Sequence, residues 1–253
     1  IEITDLQVYP MVKLKRVRIV VDLKNRMAGP QNSTIEFRIR GKAGKEIIQK
    51  IPISAATADQ KISVENVVDL GPTINEWDEF NPALYTLQVD LNKGMSRWET
   101  TFGMRQVKVK EKSILVNWKR TFLRGDLNNC EFPLTGHPPM DVDSWRKLLT
   151  TLKNYGLNHV RFHSWCPPEA AFTAADELGF YLQPEAPTWP NHGTSVGDGR
   201  FIDQYIYDET NRMVKAYGNH PSFLMLAAGN EPAGKNQSKY LAGFIDYWKK
   251  KDD

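Results

Sequence analysis

The sequence predicts a multidomain chain, β followed by α/β: an immunoglobulin-like β-sandwich over residues 1–109, then the first half of a (β/α)8 TIM barrel over residues 110–253. Three observations predict it. From Ile1 to about Val109, apolar residues recur at every second position between turn residues, as in strands with one wet and one dry face. From about Lys110 short apolar runs alternate with stretches of helical spacing, which implies parallel strands joined by crossover helices. The second part then holds only half the strand-helix units of a closed barrel, which takes eight such units and about 250 residues.

In the first part Val17, Ile19, Val21 and Leu23 alternate with Arg18 and Asp22, and Ile35, Phe37 and Ile39 with Glu36, Arg38 and Arg40. Tyr85, Leu87, Val89 and Leu91 alternate with Thr86, Gln88, Asp90 and Asn92. Ala28-Gly29-Pro30, Gly41 to Gly44 and Asn92-Lys93-Gly94 read as turns. No helix of useful length fits, and about seven short strands in roughly 100 residues is the size of an antiparallel sandwich.

In the second part Ser113 to Lys119 reads as a short hairpin and Thr121 to Gly125 as a buried strand. Asp141 and Asp143 are candidate caps for a helix in which Trp145, Leu148, Leu149 and Leu152 share a face, closed by Gly156. The strand Leu157 to His163 follows. Pro167 and Pro168 open a helix with Phe172, Ala175 and Leu178 on one face, ended by Gly179. Phe180 to Glu185 is the next strand. Beyond a loop rich in Pro, Gly and Asn, residues 201–217 read as a helix with Tyr205, Met213, Val214 and Tyr217 as its buried stripe, stopped by Gly218-Asn219. The last helix turns Tyr240, Leu241, Phe244, Ile245 and Trp248 to one side.

The fourth strand, Ser222 to Glu231, is where the chemistry is expected. Phe223 to Ala228 form a continuous apolar run, which reads as a strand covered on both faces. Gly229 frees the backbone to turn and Pro232 stops the strand. Asn230 and Glu231 therefore come at the strand end, where strand-helix barrels carry catalytic side chains. Two readings are open. Glu231 is a general acid in apolar surroundings, with the amide of Asn230 holding a substrate hydroxyl, or it is an ordinary helix-start residue at the positive end of the dipole.

Composition narrows the function classes. Lys and Arg number 33 against 30 Asp and Glu, a net charge of +3 without a nucleic-acid footprint. No run approaches the roughly 20 apolar residues of a membrane span, so a membrane partner is not expected. There is no phosphate-cradling Gly-rich turn, and no ligand set that would name a metal or another cofactor. Cys130 and Cys166 match no zinc spacing and read as free thiols, although a bond between two adjacent loops is geometrically conceivable. The chain opens on Ile1 rather than Met and closes on Lys251-Asp252-Asp253 like a helix cut off in solvent; it reads as a chain whose leader has been removed or as a piece of something longer, with a periplasmic or extracellular setting favoured over the cytoplasm.

One ordered set of motifs remains. It comprises Trp77 to Leu91 (WDEFNPALYTLQVDL), Phe102-Gly103-Met104-Arg105, and Asn117-Trp118-Lys119 through Leu123-Arg124-Gly125. Asn158 to Arg161, Asp176-Glu177-Leu178-Gly179, and Asn219-His220-Pro221-Ser222 running into Gly229-Asn230-Glu231 complete it. Together they resemble glycoside hydrolase family 2, the group of β-galactosidases, β-glucuronidases and β-mannosidases, with Trp118 where the family has glycine. The resemblance implies a retaining hydrolase of terminal β-linked sugars, most simply β-galactosidase-like, acting on an oligosaccharide or polysaccharide side chain. It implies Glu231 as general acid/base and Asn230 as the residue binding the hydroxyl next to the anomeric carbon. The nucleophilic glutamate would end a seventh strand beyond Asp253, so this chain alone is expected to be inactive, and a jelly-roll domain would precede the sandwich.

The same resemblance implies Arg161 and His163 at the sugar site. His163 comes one position earlier than in the commonest family pattern, and a satisfied core histidine is as good a reading. Glu185 either holds a sugar hydroxyl or pairs with Arg161. Trp165 and Trp189, in the loops after the second and third strands, either offer a face to a sugar ring or simply pack. Asp126, with Asn128, Asn129 and His137, occupies the first loop, which departs from the family's Asn-Arg-His-Glu pattern and leaves the sugar undetermined. β-Glucuronidase or β-mannosidase specificity, a non-catalytic carbohydrate-binding or structural module, and an open-sheet domain of unrelated chemistry are the competing readings. A half barrel leaves two strand edges unpaired, so the chain is expected to self-associate, to pair with further sequence or to be marginally stable.

Overall fold

The computed structural model describes residues 1–41, 44, 46–91, 94, 96–189 and 195–251. Part of the expected turns at Gly41 to Gly44 and Asn92-Lys93-Gly94, residues 190–194 of the Pro, Gly and Asn loop, and Asp252-Asp253 lie outside the described residues. The chain divides into two compact units, Ile1–Phe122 with Asn219–Pro221, and Leu123–Gly218 with Ser222–Asp253. The change of pattern near Lys110 therefore falls inside the first unit.

In that unit β1 (Glu2–Met11), β2 (Arg16–Lys24) and β5 (Lys61–Asp69) form one antiparallel sheet in the order β1-β2-β5. β3 (Gln31–Arg40), β4 (Glu46–Ala55), β6 (Leu84–Leu91) and β7 (Ser96–Gly103) form the other, in the order β4-β3-β6-β7. The alternation in the sequence fills the core, because Val17, Ile19, Val21, Leu23, Ile35, Phe37, Ile39, Leu87, Val89 and Leu91 are all buried. Their neighbours Glu36 and Arg38 pair with each other on the opposite face.

β8 (Val107–Lys110), β9 (Ser113–Val116) and β10 (Lys119–Thr121) form a small antiparallel meander. Its tight turn holds Asn117 at φ 48° and Trp118 at φ 63°. A two-residue hairpin turn with both residues at positive φ favours Asn followed by Gly, so Trp118 sits in strained backbone where a glycine would not. The buried Asn117 side chain donates to the carbonyls of Trp77 and Met104 and accepts from the Gln106 N–H. Three motifs that are separate in the sequence thus meet at one amide. Asn219 serves this unit too, accepting from the Val8 N–H and donating to the Leu6 carbonyl, both at 2.8 Å.

In the second unit β11 (Gly125–Asn128), β12 (His159–Phe162) and β13 (Tyr181–Gln183) form a parallel sheet in that order. Asn158 aligns the strand starts, its side chain accepting from the Arg124 N–H and its carbonyl from the Tyr181 N–H, both at 2.8 Å. Val160, Phe162 and Leu182 face the helical layer, packing with Trp145 and Leu149 of α1 (Val142–Asn154) and Phe172 of α2 (Glu169–Leu178). Asp141 caps α1 by accepting from the Ser144 N–H, and Gly179 closes α2 at φ 67°. α3 (Phe201–Tyr217) and α4 (Gln237–Lys251) complete the unit.

Several elements differ from the sequence reading. The strand expected at Thr121 to Gly125 lies at Gly125–Asn128 and is largely exposed, because β11 is the edge of its sheet. The fourth strand is no regular ladder: residues 223–229 are half-buried and join the sheet through two parallel bridges, Leu182 with Phe223 and Glu185 with Ala227. Among the described residues no strand pairs with its other edge, and the run expected to be buried is only half-buried. In α3 the buried stripe is Ile206, Thr210 and Met213. It excludes Tyr205, which stacks on the exposed Phe201, and it tolerates Thr210 because that hydroxyl donates to the Ile206 carbonyl at 2.7 Å. On α4 Phe244 is buried while Ile245 is exposed. Cys130 and Cys166 are both free thiols.

Alternation along β12 sends His159 and Arg161 to the side of the sheet away from the helices. His159 is 7% exposed, and a Cβ on Gly125 would lie 2.7 Å from its Nδ1. Its Nε2 has no hydrogen-bond partner among the described residues. Burial pushes its pKa down to about 4, against about 6.5 in the unfolded chain. Because the folded value is the lower one, the stability is intact above about pH 6.5 and drains away as the pH falls towards 4, where the unfolded state takes a proton that the folded state refuses. Urea unfolding of the parent and of His159→Leu checks this: between pH 7 and 4.5 the parent should lose about 2.5 kcal/mol more than the variant. Parallel stability curves would remove His159 from the acid response.

Candidate active site

The alternation that buries Val160, Phe162 and Leu182 against the helices puts Arg161 of β12 and Glu185, two residues past β13, on the sheet's other face. There they meet. Arg161 Nε donates to Glu185 Oε1 at 2.6 Å, and the other Glu185 oxygen accepts from the Ser164 N–H at 2.9 Å. The Glu185 side chain is 1% exposed and that of Arg161 35%, so the pair is buried at its carboxylate end and reaches solvent at its guanidinium. Of the two readings of Glu185, pairing with Arg161 is the one the geometry contains.

A second arm of Arg161 reaches the fourth strand. Its Nη2 donates to Asn230 Oδ1 at 2.8 Å, and since a guanidinium only donates, the Asn230 amide is turned with Nδ2 as its remaining donor. Asn230 is 8% exposed. Its backbone N–H donates to the Thr188 carbonyl at 3.0 Å, which also accepts from the Ser164 hydroxyl at 3.1 Å, and the Thr188 hydroxyl donates to the Ala228 carbonyl at 2.8 Å. Gly229 between them is at φ 126°, and a Cβ there would stand 2.0 Å from Thr188 Oγ1. Only glycine fits. At the other end of the strand the buried Asp176 of α2 accepts from the Ser222 N–H at 2.9 Å.

Glu231 is the exposed residue at the tip, in left-handed backbone at φ 42°. Its Oε2 accepts from Trp189 Nε1 at 2.6 Å. The His163 ring meets the Trp189 ring edge-on, with centroids 4.6 Å apart at 70°. Arg161, Glu185 and Asn230 thus form one hydrogen-bonded cluster, and Glu231, Trp189 and His163 a second chain of contacts that begins one residue further along.

Two candidates lie elsewhere. Trp165 packs among Phe132, Trp145 and Phe162, with ring centroids 5.2 to 6.4 Å away, and its indole N–H donates to the Asn128 carbonyl at 3.0 Å. Of its two readings, packing is the one this geometry contains, with the ring partly buried against the core of the second unit. Asp126 is exposed in β11 and pairs in register with Val160, which gives it the helical face of the sheet, opposite to Arg161. Of the remaining first-loop residues, Asn128 contributes its carbonyl to the His163 N–H as well, while the His137 ring Nδ1 lies 2.8 Å from the carbonyl of its own neighbour Pro138. Thr188 and Ser164 were not anticipated. Their only sequence signal is a hydroxyl residue in each loop that follows a strand, and such residues favour turns anywhere.

The site holds one exposed carboxyl group at its rim, a donor amide beside it and a half-buried cation behind both, which is suited to proton transfer at an oxygen and to gripping a hydroxyl. Among the described residues no three His, Cys, Asp or Glu side chains are arranged to hold a metal ion, and no helix is long and apolar enough to cross a membrane.

The model of the glycosyl hydrolases family 2 TIM barrel domain matches residues 107–253, and that of glycosyl hydrolases family 2 matches residues 1–105. The chain is 26% identical over 257 residues to a β-galactosidase of Clostridium acetobutylicum, covering 94% of this chain and 27% of that enzyme. It is 25% identical over 190 residues to a β-glucuronidase of Streptococcus agalactiae, covering 69% of this chain and 31% of that enzyme. It therefore spans less than a third of the length of either. A solved family 2 β-galacturonidase of Eisenbergiella tayi, bound to galacturonate, has the same fold with a TM-score of 0.83 at 20% identity, over 99% of this chain and 44% of that one.

Replacing Glu185 by Gln removes the charge opposite Arg161 and sets an amide against donors. A loss of about 2 to 3 kcal/mol in urea unfolding is expected, on the low side for a broken buried pair because Arg161 touches solvent. Glu177→Gln breaks the Arg146–Glu177 pair, 2.7 Å long and about 40% exposed at both ends, and should cost much less, because exposed ion pairs contribute little. Equal losses would mean that Glu185 has no special place in the site.

Proposed function

This chain belongs to glycosyl hydrolase family 2, and on that premise we propose that it carries half of the active site of a retaining β-glycosidase, β-galactosidase-like, that removes terminal sugars from an oligosaccharide or polysaccharide side chain. Glu231 is the general acid/base and Asn230 binds the hydroxyl next to the anomeric carbon. The observation that carries this reading is the Arg161–Asn230 contact, which leaves the Asn230 Nδ2 as a donor one residue away from an exposed carboxyl group.

In retaining hydrolysis a second carboxylate, about 5 to 5.5 Å away, attacks the anomeric carbon. As that bond forms, the carbon–oxygen bond to the leaving group breaks, and Glu231 gives its proton to the departing oxygen. Glu231, now ionised, then takes a proton from water, whose oxygen displaces the enzyme carboxylate and restores the anomeric configuration. Asn230, held by Arg161, contributes a hydrogen bond that strengthens as charge develops at the sugar ring. The nucleophile is expected beyond Asp253, and this chain by itself is expected not to turn over.

Support for a galactoside comes from the likeness to the Clostridium enzyme; β-glucuronidase, β-mannosidase and β-galacturonidase specificities are the alternatives, the first and last supported by relatives that act on uronides. A panel of aryl β-glycosides (galactoside, glucuronide, galacturonide, glucoside, mannoside) tests the reading on a chain extended past Asp253. Glu231→Gln should lower kcat/KM on the best substrate by about 100-fold or more. A variant that binds and hydrolyses like the parent would leave a carbohydrate-binding or structural role for these residues and remove the catalytic one.

A further inference from the structure

Trp189 carries two contacts that separate its possible roles. Its ring is taken edge-on by His163, and its N–H is spent on Glu231 Oε2 at 2.6 Å. We infer that Trp189 is a positioning residue for the general acid/base, its indole N–H fixing the carboxyl group of Glu231, rather than a platform for the sugar.

The need for such a residue follows from the backbone. Glu231 is exposed, lies beyond the last bridge of the fourth strand to the sheet, and adopts left-handed backbone directly after Gly229 and Asn230. Its rotamer is therefore set by side-chain contacts, of which the Trp189 N–H bond is one. Proton transfer nevertheless requires the carboxyl group within hydrogen-bond reach of the leaving oxygen. Trp189 is itself well placed to supply the constraint. The residue before it, Thr188, is bonded to both Ala228 and Asn230, so the indole is mounted on the same backbone knot that carries the acid. An indole N–H only donates, so its bond to Oε2 directs the proton of the acid form to Oε1. From there it passes to the glycosidic oxygen, and Oε1 later accepts the proton of the incoming water.

The inference rests on Glu231 being the acid/base, and the test keeps the two apart. In the full-length enzyme, kcat/KM is measured for Trp189→Phe on two glycosides of the same sugar, one with a phenyl leaving group that needs protonation and one with a 2,4-dinitrophenyl group that leaves without it. The phenyl substrate should lose about 10- to 100-fold, a part of what a general acid contributes, and its loss should exceed that of the dinitrophenyl substrate by at least about tenfold. Trp189→His, which returns a ring N–H, should move the ratio back towards the parent's; where Trp189→Phe does not fold, the ratio in Trp189→His decides, with a value below a tenth of the parent's overturning the proposal. Equal losses on both substrates would make Trp189 a platform or a packing residue, and no loss on either would deny it any role. If Glu231→Gln hydrolyses the phenyl substrate like the parent, the reading of Glu231 fails instead.

Discussion

The ion pair between Arg161 and Glu185, 2.6 Å long and buried at its carboxylate end, is what the loops at the strand ends are built on. Glu185 has two oxygens and uses each on a different element, one on the side chain from β12 and one on the backbone of the loop that follows it. Arg161 then carries the constraint across to Asn230. Removing a charge from such a pair is costly because the remaining one stays desolvated, so the arrangement favours a single geometry. That is what a site needs if its amide and its acid are to be held within a fraction of an ångström.

The rest of the second unit can be understood as bringing those three residues to one level. Asn158 sets the starts of three strands, and Val160, Phe162 and Leu182 fix the faces by packing on α1 and α2. Asp176 receives Ser222 at the beginning of the fourth segment. The sacrifice in regularity comes at its end, where Gly229 threads past Thr188 and Glu231 takes positive φ. Backbone strain of this kind costs of order 1 to 3 kcal/mol per residue and persists only where surrounding bonds over-determine it. Here the Thr188 hydroxyl and carbonyl bond Ala228 and Asn230 on either side of Gly229, and Trp189 bonds Glu231 itself.

The sandwich was legible almost residue by residue, because a period of two with one dry face leaves each side chain a single choice. The caps at Asp141 and Gly179 were legible for the same reason, since their chemistry is local. What escaped was non-local. The apolar run from Phe223 to Ala228 looks fully buried in sequence but is half-buried, and burial depends on neighbours that the run itself does not encode. The α3 stripe is legible at Met213 but not at Thr210, because an internal hydroxyl bond, invisible in hydrophobic spacing, makes Thr210 acceptable in the interior. In the site, Asn230 and Glu231 could be found from the strand-end position and from the motif. The destinations of two indole N–H groups, Asn128 for Trp165 and Glu231 for Trp189, could not. Nor could the face of Asp126, which a one-residue change in strand register reverses.

If the Arg161 cluster is what aims the catalytic amide, Arg161 and Asn230 act as one device rather than two. The most direct measurement is a double-mutant cycle on kcat/KM in the full-length enzyme, with Arg161→Met, Asn230→Ala and the pair together, each checked for folding by near-ultraviolet circular dichroism. The account predicts that the double variant is little worse than the worse single one, a coupling of about 1 kcal/mol or more. Additive losses would contradict it, because Arg161 and Asn230 would then serve the reaction independently and the ion pair would be only a feature of the fold.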